Sequence, residues 1–181
     1  TSGVALDLPE IGLSGRVDFA GPLDPWPVTW RSPGAMGWYA WMPFMECYHG
    51  VLSFGHGLSG QLSLDDEPLD FTGGRGYIEK DWGQAFPSGY VWMHSNHFRD
   101  ASVSLMASVA IIPWLRGSFQ GLLIGLRHGG SLYRFASYTG AKVDQLRIDD
   151  EHVELTARSR DGTRLRIRAT RPGGALLHAP V

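Results

Sequence analysis

The sequence predicts an all-β fold of antiparallel strands closing into a barrel or half-barrels, and three observations carry that expectation. Apolar and polar residues alternate through much of the 181-residue chain, the period-two signature of strands with one buried face. No long window holds apolar residues at i, i+3, i+4 and i+7 without an intervening Gly or Pro, so helical patterning is nearly absent. The 24 glycines and seven tryptophans favour short strands and tight turns over helices.

The elements follow in order. "LSGRVDFA" (13–20) reads as an early strand. Residues 21–45 place Pro22, Pro25, Pro27, Pro33 and Pro43 among Trp26, Trp30, Trp38 and Trp41, a loop or cap rather than a regular element. "HGVLSFGHGLSGQLSLDDEPLDF" (49–71) reads as two strands around a glycine-rich bend, then an acidic turn at Asp65-Asp66. "ASVSLMASVAII" and "SFQGLLIGLRHGG" read as strands buried on at least one face, with "PWLRG" as the turn between them. "SLYRFASYTG" and "AKVDQLRIDD" read as two more. "HVELTAR" places Val153, Leu155 and Ala157 on one face, and "RLRIRAT" does the same with Leu165, Ile167 and Ala169. "RDGT" joins that pair, because Asp161-Gly162 accepts the positive φ of a hairpin turn. About ten strands joined by short turns make an antiparallel meander, and such a barrel can enclose an apolar ligand.

Bulk properties narrow the function. A formal net charge of −2 gives no electrostatic reason to expect nucleic acid as a partner. No apolar run approaches the roughly 20 residues of a membrane-spanning helix. "TSGVALDLPE" has neither the basic start nor the apolar stretch of a signal peptide. Cys47 is the single cysteine, so an internal disulfide is ruled out and a reduced, cytoplasmic setting is the simplest expectation. The chain opens on Thr1 without an initiator methionine and closes on "GGALLHAPV", where a further element could begin. Both ends fit a piece of a longer chain, and trimming explains the first equally well. Phosphate-binding loops, nucleophile elbows and dinucleotide fingerprints are missing, and no cofactor is expected.

The chemistry concentrates in "RGYIEKDWGQAFPSGYVWMHSNHF" (75–98), which crowds acids, bases and aromatic rings together. Glu79 and Asp81 stand at i and i+2, on one face of a strand, with Lys80 on the other. Two carboxyls on one face push one pKa upward, as does burial beside Tyr77, Trp82 or Trp92. A carboxyl raised to roughly 6–7 is a usable general acid at neutral pH. The competing reading is a strand end with solvated carboxylates, one paired with Lys80 or Arg75. Tyr90 and Trp92 share a face, as do His94 and Asn96, while Trp82 and Phe86 fall in the preceding turn. An aromatic cavity can hold a hydrocarbon and stabilise a developing cation, although the same rings could simply fill a core. Cys47 and His49 share a strand face, which allows a thiolate nucleophile or, equally, a small buried thiol. Glu46, His49 and His94 could converge on a metal if their strands pair, but ordinary hydrogen-bonded histidines are the simpler reading and no metal is expected.

At this point a resemblance enters. Glu79-Lys80-Asp81-Trp82-Gly83, then Phe86-Pro87, Tyr90-x-Trp92 and Asn96-x-Phe98, is similar to the tocopherol cyclase family. "MPFMECYHGVLS" (42–53) and "SLYRFASYTGAKV" (131–143) resemble it too. The resemblance implies a lipocalin-like, two-barrel protein related to carotenoid hydratases of the hydroxyneurosporene synthase type, of which residues 1–181 would be one β-rich middle region with a junction between barrels around 140–150. Three positions depart from the plant-type pattern, which usually has Asn at position 81, Trp at 90 and Gln at 94.

The implied activity is acid-catalysed closure of a chromanol ring on a prenylated quinol. A proton goes to the less substituted alkene carbon and the phenol oxygen captures the tertiary cation. Glu79 or Asp81 is the expected acid, with His94 as a further proton donor. Trp82, Tyr90 and Trp92 would flank the cation, and His49, His94 or Asn96 would orient the quinol hydroxyl. Glu46 and Tyr77 complete the expected substrate-binding set. The alternatives are carotenoid hydratase-like addition of water to an isoprenoid alkene, a non-catalytic binder of hydrophobic small molecules, and a fragment whose pocket is incomplete. The expected partner is a hydrophobic small molecule, and the aromatics of residues 26–41 would suit peripheral membrane contact.

Overall fold

The computed structural model describes residues 2–43, 45–114, 116–171 and 173. The fold is all-β, with strands β1 (Ser2–Leu8), β2 (Leu13–Ala20), β3 (Val28–Thr29), β4 (Ser32–Pro33), β5 (Cys47–Leu64), β6 (Glu67–Asp70), β7 (Arg75–Gly83), β8 (Tyr90–Ser95), β9 (Ser104–Trp114), β10 (Gly117–His128), β11 (Ser131–Ala136), β12 (Lys142–Ile148), β13 (His152–Arg158) and β14 (Arg164–Thr170). Three single 3₁₀ turns are the helical content of the described residues. The chain forms two compact units, residues 1–26 with 51–80, and residues 27–50 with 81–181.

The first unit is built on a curled, half-barrel sheet of order β1-β2-β5-β6, with β7 also paired to β5. Asp65 and Asp66 both take positive φ, 49° and 66°. That is the double left-handed turn whose twist matches a hairpin, so the expected acidic turn joins β5 to β6. The expected break in residues 49–64 is corrected. β5 is one continuous strand of 18 residues. Its glycines bend it instead: Gly60 sits opposite Val17 at a φ of +108°, a conformation open to a residue without a Cβ.

Trp26 (1% exposed) and Phe54 (0%) anchor the interior, their rings 5.8 Å apart. The Trp26 amide donates to the Val51 carbonyl at 3.0 Å and the Phe54 amide to the Asp24 carbonyl at 2.7 Å, which clips residues 24–26 onto β5. His56 lies buried with Nδ1 2.9 Å from the Ser53 hydroxyl, and burial lowers its pKa.

The second unit packs a four-stranded sheet, β11-β10-β9-β8, against a three-stranded sheet, β12-β13-β14. Leu105, Ala107 and Val109 of β9, Leu122 and Ile124 of β10, and Phe135 of β11 meet Leu155 and Ala157 of β13 and Ile167 of β14 in one core. Full burial of a side chain such as Leu155 stabilises by about 2–3 kcal/mol. The β13–β14 hairpin forms as the alternation requires, with Val153, Leu155 and Ala157 buried. Gly162 takes φ +91°, and the Thr163 amide donates to the Asp161 carboxylate at 3.0 Å. The expected turn at 113–117 is tighter than its composition implies, because β9 runs through Pro113 to Trp114 and β10 begins at Gly117.

Residues 27–43 hold the small β3–β4 hairpin and a 3₁₀ turn at Gly37–Trp41. Tyr39 packs its ring on Trp114 and Phe119, with centroids 5.8 Å and 6.0 Å away. Trp30 and Trp41 stay 77% and 63% exposed. The closing stretch 174–181, read in the sequence as the start of a further element, lies outside the described residues.

Candidate functional site

In the second unit the end of β7 is held against the start of β5. The Gln84 amide donates to the Glu46 carbonyl at 2.8 Å. Gly83 permits the approach, since a Cβ there would collide with the Glu46 carbonyl and lie 2.9 Å from the Cys47 Cα. Glu46 thus serves through its backbone, and its residue is exposed.

This crossing places His49 and Asp81 together. His49 Nδ1 and Asp81 Oδ1 are 2.5 Å apart, with the side chains 12% and 30% exposed. A carboxylate on Nδ1 orients the ring and favours the tautomer with its proton on that nitrogen. One step along each strand, Tyr48 and Trp82 stack with centroids 5.6 Å apart and planes within 14°. The Tyr48 hydroxyl donates to the Met42 carbonyl at 2.6 Å, which locks that ring, while Trp82 is 46% exposed. Trp82 belongs to β7 rather than to the turn after it.

Cys47 adjoins this group. Burial first, and the charge of Asp81 second, push its thiol up to about 11. The thiol is protonated at neutral pH, which removes the reading of Cys47 as a thiolate nucleophile.

Tyr90, Trp92 and His94 lie along one face of β8, on a different sheet from β5 and β7. Trp92 and His94 rings are 6.5 Å apart at 28°, and Phe86 approaches Tyr90 at 6.4 Å. Tyr90 is 51% and Trp92 44% exposed, so these rings line a surface and do not fill a core. Asn96 is buried. His94 has its pKa lowered to about 4, by burial first and by His97 second. Its imidazole is neutral at pH 7, so it can accept or orient a hydrogen but does not hold the second proton that a donor needs.

In the first unit, Glu79 accepts a hydrogen bond from the Tyr77 hydroxyl. The two are i and i+2 on β7 and share a face, as alternation requires. Both are half-buried. The two carboxylates of the sequence motif are therefore engaged by different partners, Glu79 by a phenol and Asp81 by an imidazole.

Sequence reasoning placed the acids and Trp92 on strands, left Trp82 in the turn, and missed Tyr48 and the part played by Gly83. The signal for Tyr48 was its position one step before His49 at a strand start. For Gly83 it was a glycine closing an acidic strand.

Comparison with known proteins agrees with the motif. The family described as Tocopherol cyclase-like matches residues 17–180. A probable chloroplastic tocopherol cyclase of Oryza sativa subsp. japonica is 32% identical over 117 residues, covering 62% of this chain and 25% of that protein. A chloroplastic tocopherol cyclase of Zea mays is 35% identical over 109 residues, covering 58% of this chain and 23% of that protein. The chain thus spans about a quarter of the length of these curated relatives. No solved structure matches it. On the extent of the family match, together with the Glu-Lys-Asp-Trp-Gly strand that carries it, the chain belongs to the tocopherol cyclase-like family.

Proposed function

We propose that this chain is part of an enzyme that closes a chromanol ring on a prenylated quinol by protonating its trisubstituted alkene. The observation that carries the reading is the 2.5 Å His49–Asp81 pair, one residue along both strands from the Tyr48–Trp82 stack. Alternation puts that stack on the other face of the two strands, so the pair alone carries the acid–base role.

In this scheme the pair gives one proton to the less substituted alkene carbon. The tertiary cation forms, and the phenol oxygen attacks it. The phenol proton returns to the pair, so the reaction is an isomerisation with no net proton consumed. Glu79, held by the Tyr77 hydroxyl, is the second candidate acid. Asn96 and His94 would orient the quinol hydroxyl from β8. The ligand is a hydrophobic small molecule, and Trp30 and Trp41, open to solvent, would face the lipid that supplies it.

A second reading, addition of water to an isoprenoid alkene, is favoured by the openness of Trp82 and Tyr90, which lets water reach a cation. Incubation of the full-length protein in heavy water with a prenylated benzoquinol, and separately with an acyclic carotenoid, separates the two. A chromanol with one carbon-bound deuterium supports cyclisation, and a hydrated carotenoid supports hydration. Substrates that bind and return unchanged would leave a binding module.

A further inference from the structure

We infer that residues 27–43 form an interfacial wedge that seats in the headgroup layer of a bilayer containing anionic phospholipid. Val28, Trp30, Trp38 and Trp41 are its apolar face, and Arg31 is its contact to lipid phosphate. The choice of a lipid surface rests in part on the reading above, since a prenylated quinol resides in one; the segment is marked out by its own residues.

Val28 is 71% and Trp38 42% exposed, and Trp30 and Trp41 are open as well. Large apolar side chains exposed together in one short segment mark an interaction surface. The segment is also held in place. Gly37 takes φ +59° and lies against the Tyr138 ring, where a Cβ would sit 2.5 Å from a ring carbon. Tyr39 packs on Trp114 and Phe119, whose own rings are 5.8 Å apart. The Gly37–Trp41 turn is therefore pinned through Gly37 and Tyr39 while Trp38 and Trp41 stay exposed. A turn already pinned loses less conformational entropy on docking.

Charge selects the occupant. The chain has 18 Asp and Glu, yet none lies between Asp24 and Glu46, and Arg31 is the single charge in that stretch. In a chain of net charge −2, an acid-free stretch is what an anionic surface repels least. Arg31 stands 4.6 Å from the centroid of the Trp30 ring. That couples a cation to an indole, the two side-chain types that suit the membrane–water boundary. Pro27, Pro33 and Pro43 have no N–H, which lowers the cost of bringing irregular backbone to a medium with few acceptors. The other backbone donors still need partners, so the depth stops at the headgroup and acyl boundary. One cation is too few to hold a nucleic-acid backbone, and a protein interface would need a polar rim that a single charge does not supply.

The test is co-flotation of the full-length protein with phosphatidylcholine vesicles, with and without an anionic phospholipid, and light scattering of the lipid-free protein. The parent should float with both and partition more tightly onto the anionic set. Trp30→Ser and Trp41→Ser, each at an exposed position, should weaken partition about tenfold, as expected when an indole no longer leaves water. Ile148→Ser, at an exposed apolar position of β12, should stay within about twofold. Arg31→Gln should lose about fivefold on anionic vesicles and less than about twofold on neutral ones. A parent that does not float, tryptophan variants that float as the parent does, an equal loss from Ile148→Ser, or an equal loss from Arg31→Gln on both vesicle types overturns the wedge. A parent that is dimeric and does not float, with tryptophan variants that are monomeric, assigns the patch to a second copy instead. Deuterated chromanol from a detergent-dispersed quinol with no flotation removes the wedge and leaves the cyclase reading. Flotation that depends on Trp30 and Trp41 with no turnover removes the cyclase reading and leaves the wedge.

Discussion

Asp81→Asn tests whether the site's carboxylate is charged and close to both neighbours it is built to influence. The reporter is Cys47, whose thiol is pushed from an ordinary 9.0 up to about 11, by burial first and by Asp81 second. The displacement is about 11 − 9.0, or two pH units, and Asp81 is the smaller of two causes. Removing its charge should therefore lower the thiol midpoint by less than about one pH unit, since burial remains. The pH dependence of Cys47 alkylation, followed by mass spectrometry of the peptide that contains it, reads this directly. The same substitution takes the charge from a hydrogen bond to His49 of 2.5 Å, an interaction worth about 1.5–3 kcal/mol. Turnover should fall about 10- to 100-fold with little change in substrate binding. An unchanged or raised thiol midpoint would refute the placement of Asp81. A lowered midpoint with full turnover would refute its part in catalysis.

Three further outcomes follow. His94 binds its proton more weakly in the fold than in the unfolded chain, so its contribution to stability is full above pH 6.5 and is lost as pH falls through about 4; urea unfolding at pH 7 and pH 4.5 should show His94→Gln lacking an acid-dependent loss on the order of 2 kcal/mol. Gly83→Ala places a Cβ against the backbone of Glu46 and Cys47, which cannot rotate away; a loss of about 1–3 kcal/mol in thermal unfolding is expected, with reduced turnover from a displaced Asp81. Leu155→Ala, at a core position 1% exposed, should cost about 2–5 kcal/mol in urea unfolding without altering the alkylation profile of Cys47.

The strand pattern was legible wherever one face is buried and the other wet. The β13–β14 hairpin is the clearest case, because the core takes Leu155 and Ile167 while Arg164, Arg166 and Arg168 remain outside. The acidic turn was legible because two adjacent aspartates at positive φ have few other uses. The continuity of β5 was not. Glycines normally read as breaks, and only pairing with β2 across Gly57 and Gly60 shows that they bend a strand without ending it. The burial of the aromatics was equally hidden, since a tryptophan on a strand gives no sign of whether its face meets a core or solvent.

By itself the sequence determined the all-β class, the antiparallel neighbours joined by short turns, and the family, since these follow from local alternation, turn chemistry and a motif contiguous along the chain. Tertiary structure decided which groups can act together. Asp81 meets His49, 32 residues away, because Gly83 lets β7 close on β5. His94 is neutral because burial, a property of the packed sheet, removes its second proton. Ser104 looks like any strand serine until packing of the sheet leaves it 1% exposed. Proton affinity and hydrogen-bond satisfaction depend on what folds around a side chain, and spacing along the chain does not contain that information.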